Sequence, residues 1–157
     1  VVYPRDNPAR IAALGDLAKP NVRIGMADPA VPVGNYTMQM LKAMEQDSAF
    51  GSSFREQFLA NVRSREENVK AVVSKVRLGE MDAGVVYVTD VGGEAAKDLG
   101  SLPIPEQFNQ IAQYPIAVTA QPASGEMARK FVAFVLSAQG QKALAGHGFV
   151  PGGEGAP

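Results

Sequence analysis

The sequence predicts an α/β fold with a substantially parallel sheet flanked by helices. Three observations lead there. Short apolar, strand-like runs alternate along the chain with helical periodicities. Residues 83–88 (Ala-Gly-Val-Val-Tyr-Val) form a β-branched run of strand length, as expected of a strand buried on both faces. Just before it, Val69, Val72, Val73 and Val76 follow the i, i+3, i+4, i+7 rule of an amphipathic helix.

The elements follow in order. Val1-Val2-Tyr3-Pro4 reads as a strand already under way, so a trimmed or fragmentary chain is expected. Pro4 to Pro8 is a turn cluster, and residues 11–18 carry a short helical pattern (Ile11, Leu14, Leu17) that Pro20 stops. Residues 22–26 alternate weakly and predict a strand. Asp28-Pro29-Ala30-Val31-Pro32 is a loop, because two prolines bar both ladder and helix. From Val33 to about Met44 a helix places Tyr36, Met40, Leu41 and Met44 on one face. Ser53-Phe54-Arg55-Glu56 has the form of a capping box and starts another helix. Residues 68–78 form the clearest helix, with Gly79 as its stop. Thr89-Asp90 follows the 83–88 run as a turn or cap. Residues 102–105 and 114–119 are further extended candidates. Residues 127–136 predict a helix with Phe131, Phe134 and Val135 inward, and 139–145 a second one ended by Gly146. The tail, residues 151–157, is expected to be disordered.

Composition narrows the function classes. The chain has 157 residues, 46% hydrophobic and 20% charged, which suffices for a real core. Its net charge is −1 and no basic stripe appears, so a nucleic-acid partner is not expected. With no cysteine, disulfides, thiolate metal sites and cysteine nucleophiles are excluded together. The single histidine, His147, sits between two glycines, a poor mount for a catalytic base. One histidine and scattered carboxylates give no metal-ligand spacing. No phosphate-loop or dinucleotide fingerprint occurs. The chain is therefore not read as an enzyme, and no cofactor is expected.

Helix starts after strands remain. In open α/β sheets, ligands sit beyond the carboxyl ends of the strands. A helix start offers free N–H groups and the positive end of a dipole, which suit an anion. One helix begins at Pro32-Val33-Gly34, where proline suits the first turn and glycine lets the backbone come close. Another begins near Glu67-Asn68-Val69. Tyr87, at the end of the 83–88 run, could bring a hydroxyl to the same point. Ordinary α/β connections would look the same.

Three segments carry a resemblance. Gly25-Met26-Ala27-Asp28-Pro29-Ala30-Val31-Pro32-Val33-Gly34-Asn35-Tyr36 resembles the G-D-P-x-x-V-P-x-G-x-Y segment of bacterial molybdate-binding proteins. Glu67-Asn68-Val69-Lys70-Ala71-Val72 is similar to their E-N-V-R-A-x segment, and Gly84-Val85-Val86-Tyr87-Val88-Thr89-Asp90 to their G-[IV]-V-Y-x-[ST]-D. Tyr114 to Val118, and Leu136 through Gly148-Phe149-Val150-Pro151, match the remainder in order.

The resemblance implies a periplasmic-binding-protein-like lobe with a mixed, largely parallel sheet. Residues 1–115 would be the second, ligand-binding lobe. Residues 116–150 would be a crossover strand and C-terminal helices returning to a first lobe. It also implies an exported protein, periplasmic or at the cell surface, that serves an ABC transporter permease. The ligand would be molybdate or tungstate, held by the backbone N–H of Val33, the backbone N–H of Val69 and the hydroxyl of Tyr87. Val33 stands where relatives often carry alanine or another small residue. Such a site requires the third helix to start near Glu66 or Glu67, making Ser64-Arg65-Glu66-Glu67 a false capping box. It also requires Asp28 to bond local backbone N–H groups in its Asp-Pro turn rather than face the anion. Competing readings are a sulfate-type receptor of the same fold and a phosphoester-processing enzyme. A third is a fragment that self-associates by exchanging its C-terminal helices.

Overall fold

The computed structural model describes residues 1–93, 95–121 and 123–152. The chain divides into two compact units, Val1–Gln110 and Ile111–Pro157. Residues 153–157 of the expected tail lie outside the described residues.

The first unit is built on a five-stranded sheet of β1 (Val2–Pro4), β2 (Ile24–Ala27), β3 (Val62–Glu66), β4 (Ala83–Gly84) and β5 (Leu99–Ser101). Its order is β3-β2-β4-β1-β5. β2 runs parallel to both β3 and β4, whereas β1 is antiparallel to β4 and β5. The sheet is thus mixed, with a parallel half that ends on one edge. Helices α1 (Pro32–Glu45), α2 (Phe54–Ala60), α3 (Val69–Arg77) and α4 (Ala95–Asp98) complete the unit.

Alternation along the strands sends side chains to two faces. Ile24, Met26, Ala83 and Val85 join Met40, Leu41, Met44, Phe54 and Phe58 of α1 and α2 in the main core. On the opposite face α3 lies very close to the sheet. Gly25 and Gly84 are paired neighbours there. A Cβ on Gly84 would come within 2.5 Å of Val72 Cγ1. Two glycines in register let a helix settle onto the strands. All four residues of β2 are buried, which explains its weak sequence alternation.

Several expected elements come out differently. The predicted strand 83–88 pairs only at Ala83–Gly84. Burial runs on through Val85, but Val88 is exposed, and Val88–Val91 turns into a 3-10 helix. Residues 102–105 are not a strand. Pro103 and Pro105 have no N–H for a ladder, and pairing with β1 falls earlier, at Leu99–Ser101. The helical pattern at 11–18 condenses to a 3-10 helix, Leu14–Ala18. Upstream backbone is taken by side chains instead: Asp16 accepts from the N–H of Ala12 and Ala13, and Asn7 from that of Ile11. Ser53 precedes α2 but makes no capping bond.

The second unit holds α5 (Gly125–Leu136) and α6 (Ala138–Ala145). Ser137 joins them, donating to Phe134 O at 2.7 Å and accepting from Gly140 N at 3.2 Å. Residues 114–119 form no strand among the described residues. The inward placement of Phe131 and Phe134 is also overturned, since they are 61% and 48% exposed. Val135 is only half-buried. The reason is size. Two short helices cannot enclose an apolar stripe by themselves, and Gly140 alone is buried among the described residues of this unit.

Candidate functional site

Because β3, β2 and β4 are parallel neighbours, their carboxyl ends share one edge. Each of the three candidate residues follows one of these strands. One step past β2, Asp28 N donates to Glu66 O at the end of β3, at 2.8 Å.

α1 starts at this edge. Val31 is its cap in extended backbone, Pro32 is the first helical residue and Val33 the second. The helical bonding begins with Asn35 N to Val31 O at 3.0 Å, so the N–H of Val33 lies in the free first turn. Gly34 is required by close approach: a Cβ there would lie 2.1 Å from Asp28 O and 2.6 Å from Ala27 O.

α3 starts beside it. Asn68 caps it with φ −158° and ψ 163°, its side chain accepting from Ala71 N at 3.0 Å. Val69 is the first helical residue, and its N–H also precedes intrahelical bonding. The start falls later still than the expected Glu66 or Glu67, because Glu66 belongs to β3 and Val69 is the first helical residue. Ser64 lies within β3, where it accepts from Lys75 Nζ at 2.7 Å and donates to Glu66 Oε1. Lys75 also pairs with Glu66 at 2.7 Å. Lys75, then Ser64, hold the Glu66 carboxyl below its ordinary range. The capping-box pattern at Ser64 is therefore a strand-to-helix ion-pair network.

Tyr87 stands between β4 and the 3-10 helix, half-buried. Its ring meets that of Tyr36 edge to face, with centroids 6.4 Å apart and planes at 68°. Its N–H donates to Asp90 Oδ2 at 3.3 Å. Burial raises the Asp90 carboxyl above its usual range, against the opposing pull of the Tyr87 N–H and Lys70.

The three candidates come together in one place. Val33 is buried with Ala27 and Val72, and Val69 and Tyr87 pack against this small apolar cluster with Val31 and Val86. Asp28 accepts from Ala30 N at 2.9 Å through Oδ1, which is the local turn expected of it. A shallow depression lined by Ala30, Val31, Pro32, Asn35 and Tyr36 borders the start of α1. Among the described residues, no group of three or more His, Asp or Glu side chains could hold a metal ion. No helix there is long and apolar enough to cross a membrane.

Sequence reasoning missed the ring contact between Tyr36 and Tyr87. It placed Tyr36 on the inward face of its helix without a partner. It also left Asp90 as a generic cap, although its spacing three residues after Tyr87 was the available signal.

Known proteins resemble this chain. The family model for bacterial extracellular solute-binding proteins matches residues 1–150. The molybdate-binding proteins ModA of Mycobacterium bovis and Mycobacterium tuberculosis are each 32% identical over 149 residues. Those alignments cover 95% of this chain and 52% of the relatives, so the chain spans about half their length. A substrate-binding domain assigned to a molybdenum ABC transporter of Clostridium difficile superposes with a TM-score of 0.66 at 22% identity. It covers 94% of this chain and 60% of that one, and it supports the fold. By family, then, and with a fold and parallel-sheet edge that agree, the chain belongs to the bacterial extracellular solute-binding proteins.

Proposed function

We propose that this chain is part of the solute-binding component of an ABC importer and grips a molybdate or tungstate dianion through uncharged donors. Those donors are the N–H of Val33, the N–H of Val69 and the hydroxyl of Tyr87. One observation carries the reading: residues from three separate elements pack on a single apolar cluster at the edge where three parallel strands end. Two of them lie in the first turns of helices, whose dipoles favour negative charge there.

The carboxylates agree with this. A fully ionised oxyanion wants donors and no acceptor, and Asp28, Glu66 and Asp90 each bond another partner. Asp28 holds its own turn, Glu66 holds Lys75 and Asp90 accepts from the N–H of Tyr87. The site binds and releases its anion without chemical change, outside the cytoplasm, and a membrane permease receives it. Residues 1–115 act as the ligand lobe. The C-terminal helices return to a first lobe, as the exposed stripe of Met127, Phe131 and Phe134 on α5 suggests.

Calorimetric titration with molybdate, tungstate, sulfate and phosphate tests this. The expected result is weak, saturable binding of molybdate and tungstate, with sulfate and phosphate weaker. Submicromolar affinity would show that the three donors form a whole site. Preference for phosphate would overturn the donor-only site.

A further inference from the structure

We propose that Asp90 and Tyr36 are the positioning residues of this site, holding Tyr87 by its backbone and by its ring so that the phenol is presented to a bound oxyanion. The proposal rests on the oxyanion reading above and adds two residues to it.

Tyr87 has no strand to aim it. β4 ends at Gly84, so the chain leaves the ladder three residues before the phenol. Two bonds between the same two residues replace the ladder. The N–H of Tyr87 donates to Asp90 Oδ2 at 3.3 Å, and the N–H of Asp90 donates to Tyr87 O at 3.1 Å. They close a tight turn and set the direction in which the Tyr87 side chain departs. Across the site, Tyr36 sits on α1 three residues after Val33, and its ring meets the Tyr87 ring edge to face. On α3, Val69 packs with Tyr87 against the same small apolar cluster. The three elements that carry the candidate donors are thereby linked through one tyrosine.

The physical gain is preorganisation. A phenol free to sample rotamers loses that freedom when it binds, whereas one already held loses little.

Carbon-13 labelling of the four tyrosines, read by NMR, tests this in the intact chain with and without molybdate. Asp90→Ala and Tyr36→Leu should each average the Tyr87 ring signals in the free chain and weaken molybdate binding about tenfold. Asp90→Asn keeps an acceptor for the Tyr87 N–H, and Tyr36→Phe keeps the ring edge. Both should restore ordered Tyr87 signals and bring affinity back to within about threefold. A merely structural role would show as lost folding in the alanine and leucine variants, seen at every remaining tyrosine rather than at Tyr87 alone, and would overturn the proposal. Unchanged Tyr87 signals in Asp90→Ala and Tyr36→Leu would overturn the proposal. So would an asparagine variant as impaired as the alanine. Molybdate leaving the wild-type Tyr87 resonance unmoved would instead sink the oxyanion reading, while the free-chain spectra still judge the positioning.

Discussion

Replacing Val69 with proline is expected to leave α3 folded while weakening molybdate binding by about ten- to a hundredfold. The first position of a helix is where proline is best tolerated, because the N–H it removes has no intrahelical partner. Val69 occupies that position. The preceding residue must be extended, and Asn68 already is, at φ −158° and ψ 163°. Asn68 would continue to cap Ala71. The side chain of Val69 is only partly buried, so the stability lost should be about 1 kcal/mol or less. Val69→Ala keeps the N–H and is the control, expected to bind as the parent does. Circular dichroism with calorimetry decides it. A proline variant that binds molybdate as well as Val69→Ala would remove this N–H from the site.

Gly34→Ala should destabilise the first unit by about 3 kcal/mol or more. Helix propensity alone would favour alanine by about 1 kcal/mol, so the expected sign is set by packing. The new methyl would lie 2.1 Å from Asp28 O and 2.6 Å from Ala27 O, both backbone atoms that cannot rotate away. Relief requires α1 to lift from the end of β2, which moves Val33 off the cluster it shares with Val69 and Tyr87. Anion binding should fall with stability. Gly15→Ala is the control, because a Cβ there meets nothing within 4 Å. A melting temperature for Gly34→Ala equal to that of Gly15→Ala would show that the strand-to-helix approach is not tight.

Local chemistry made much of this legible from residue types. The valine spacing and Gly79 marked α3 to within a residue at either end, because both signals act inside the helix itself. Pro32 and the glycine after Val33 marked the start of α1 for the same reason. Where reading failed, a distant partner had intervened. The Ser64 capping pattern was rightly taken as false, but the strand it lies in, residues 62–66, went unread, because what makes it a strand is its pairing with β2. The run 83–88 has strand composition throughout, but β1 and β2 offer partners only at its start. Phe131 and Phe134 have core spacing without a core to enter within their own unit.

By itself, then, the sequence determined the α/β class, the positions of α1, α3, α5 and α6, the free first turns at Val33 and Val69 and the family. These depend on periodicity, caps and motifs, which span a few residues each. Only the tertiary structure decided the β3-β2-β4-β1-β5 order, the settling of α3 over Gly25 and Gly84, and the meeting of Val33, Val69 and Tyr87 on one cluster. Those outcomes depend on which surfaces touch across many residues of intervening chain, and contact at that range leaves no periodic trace in the residues that make it.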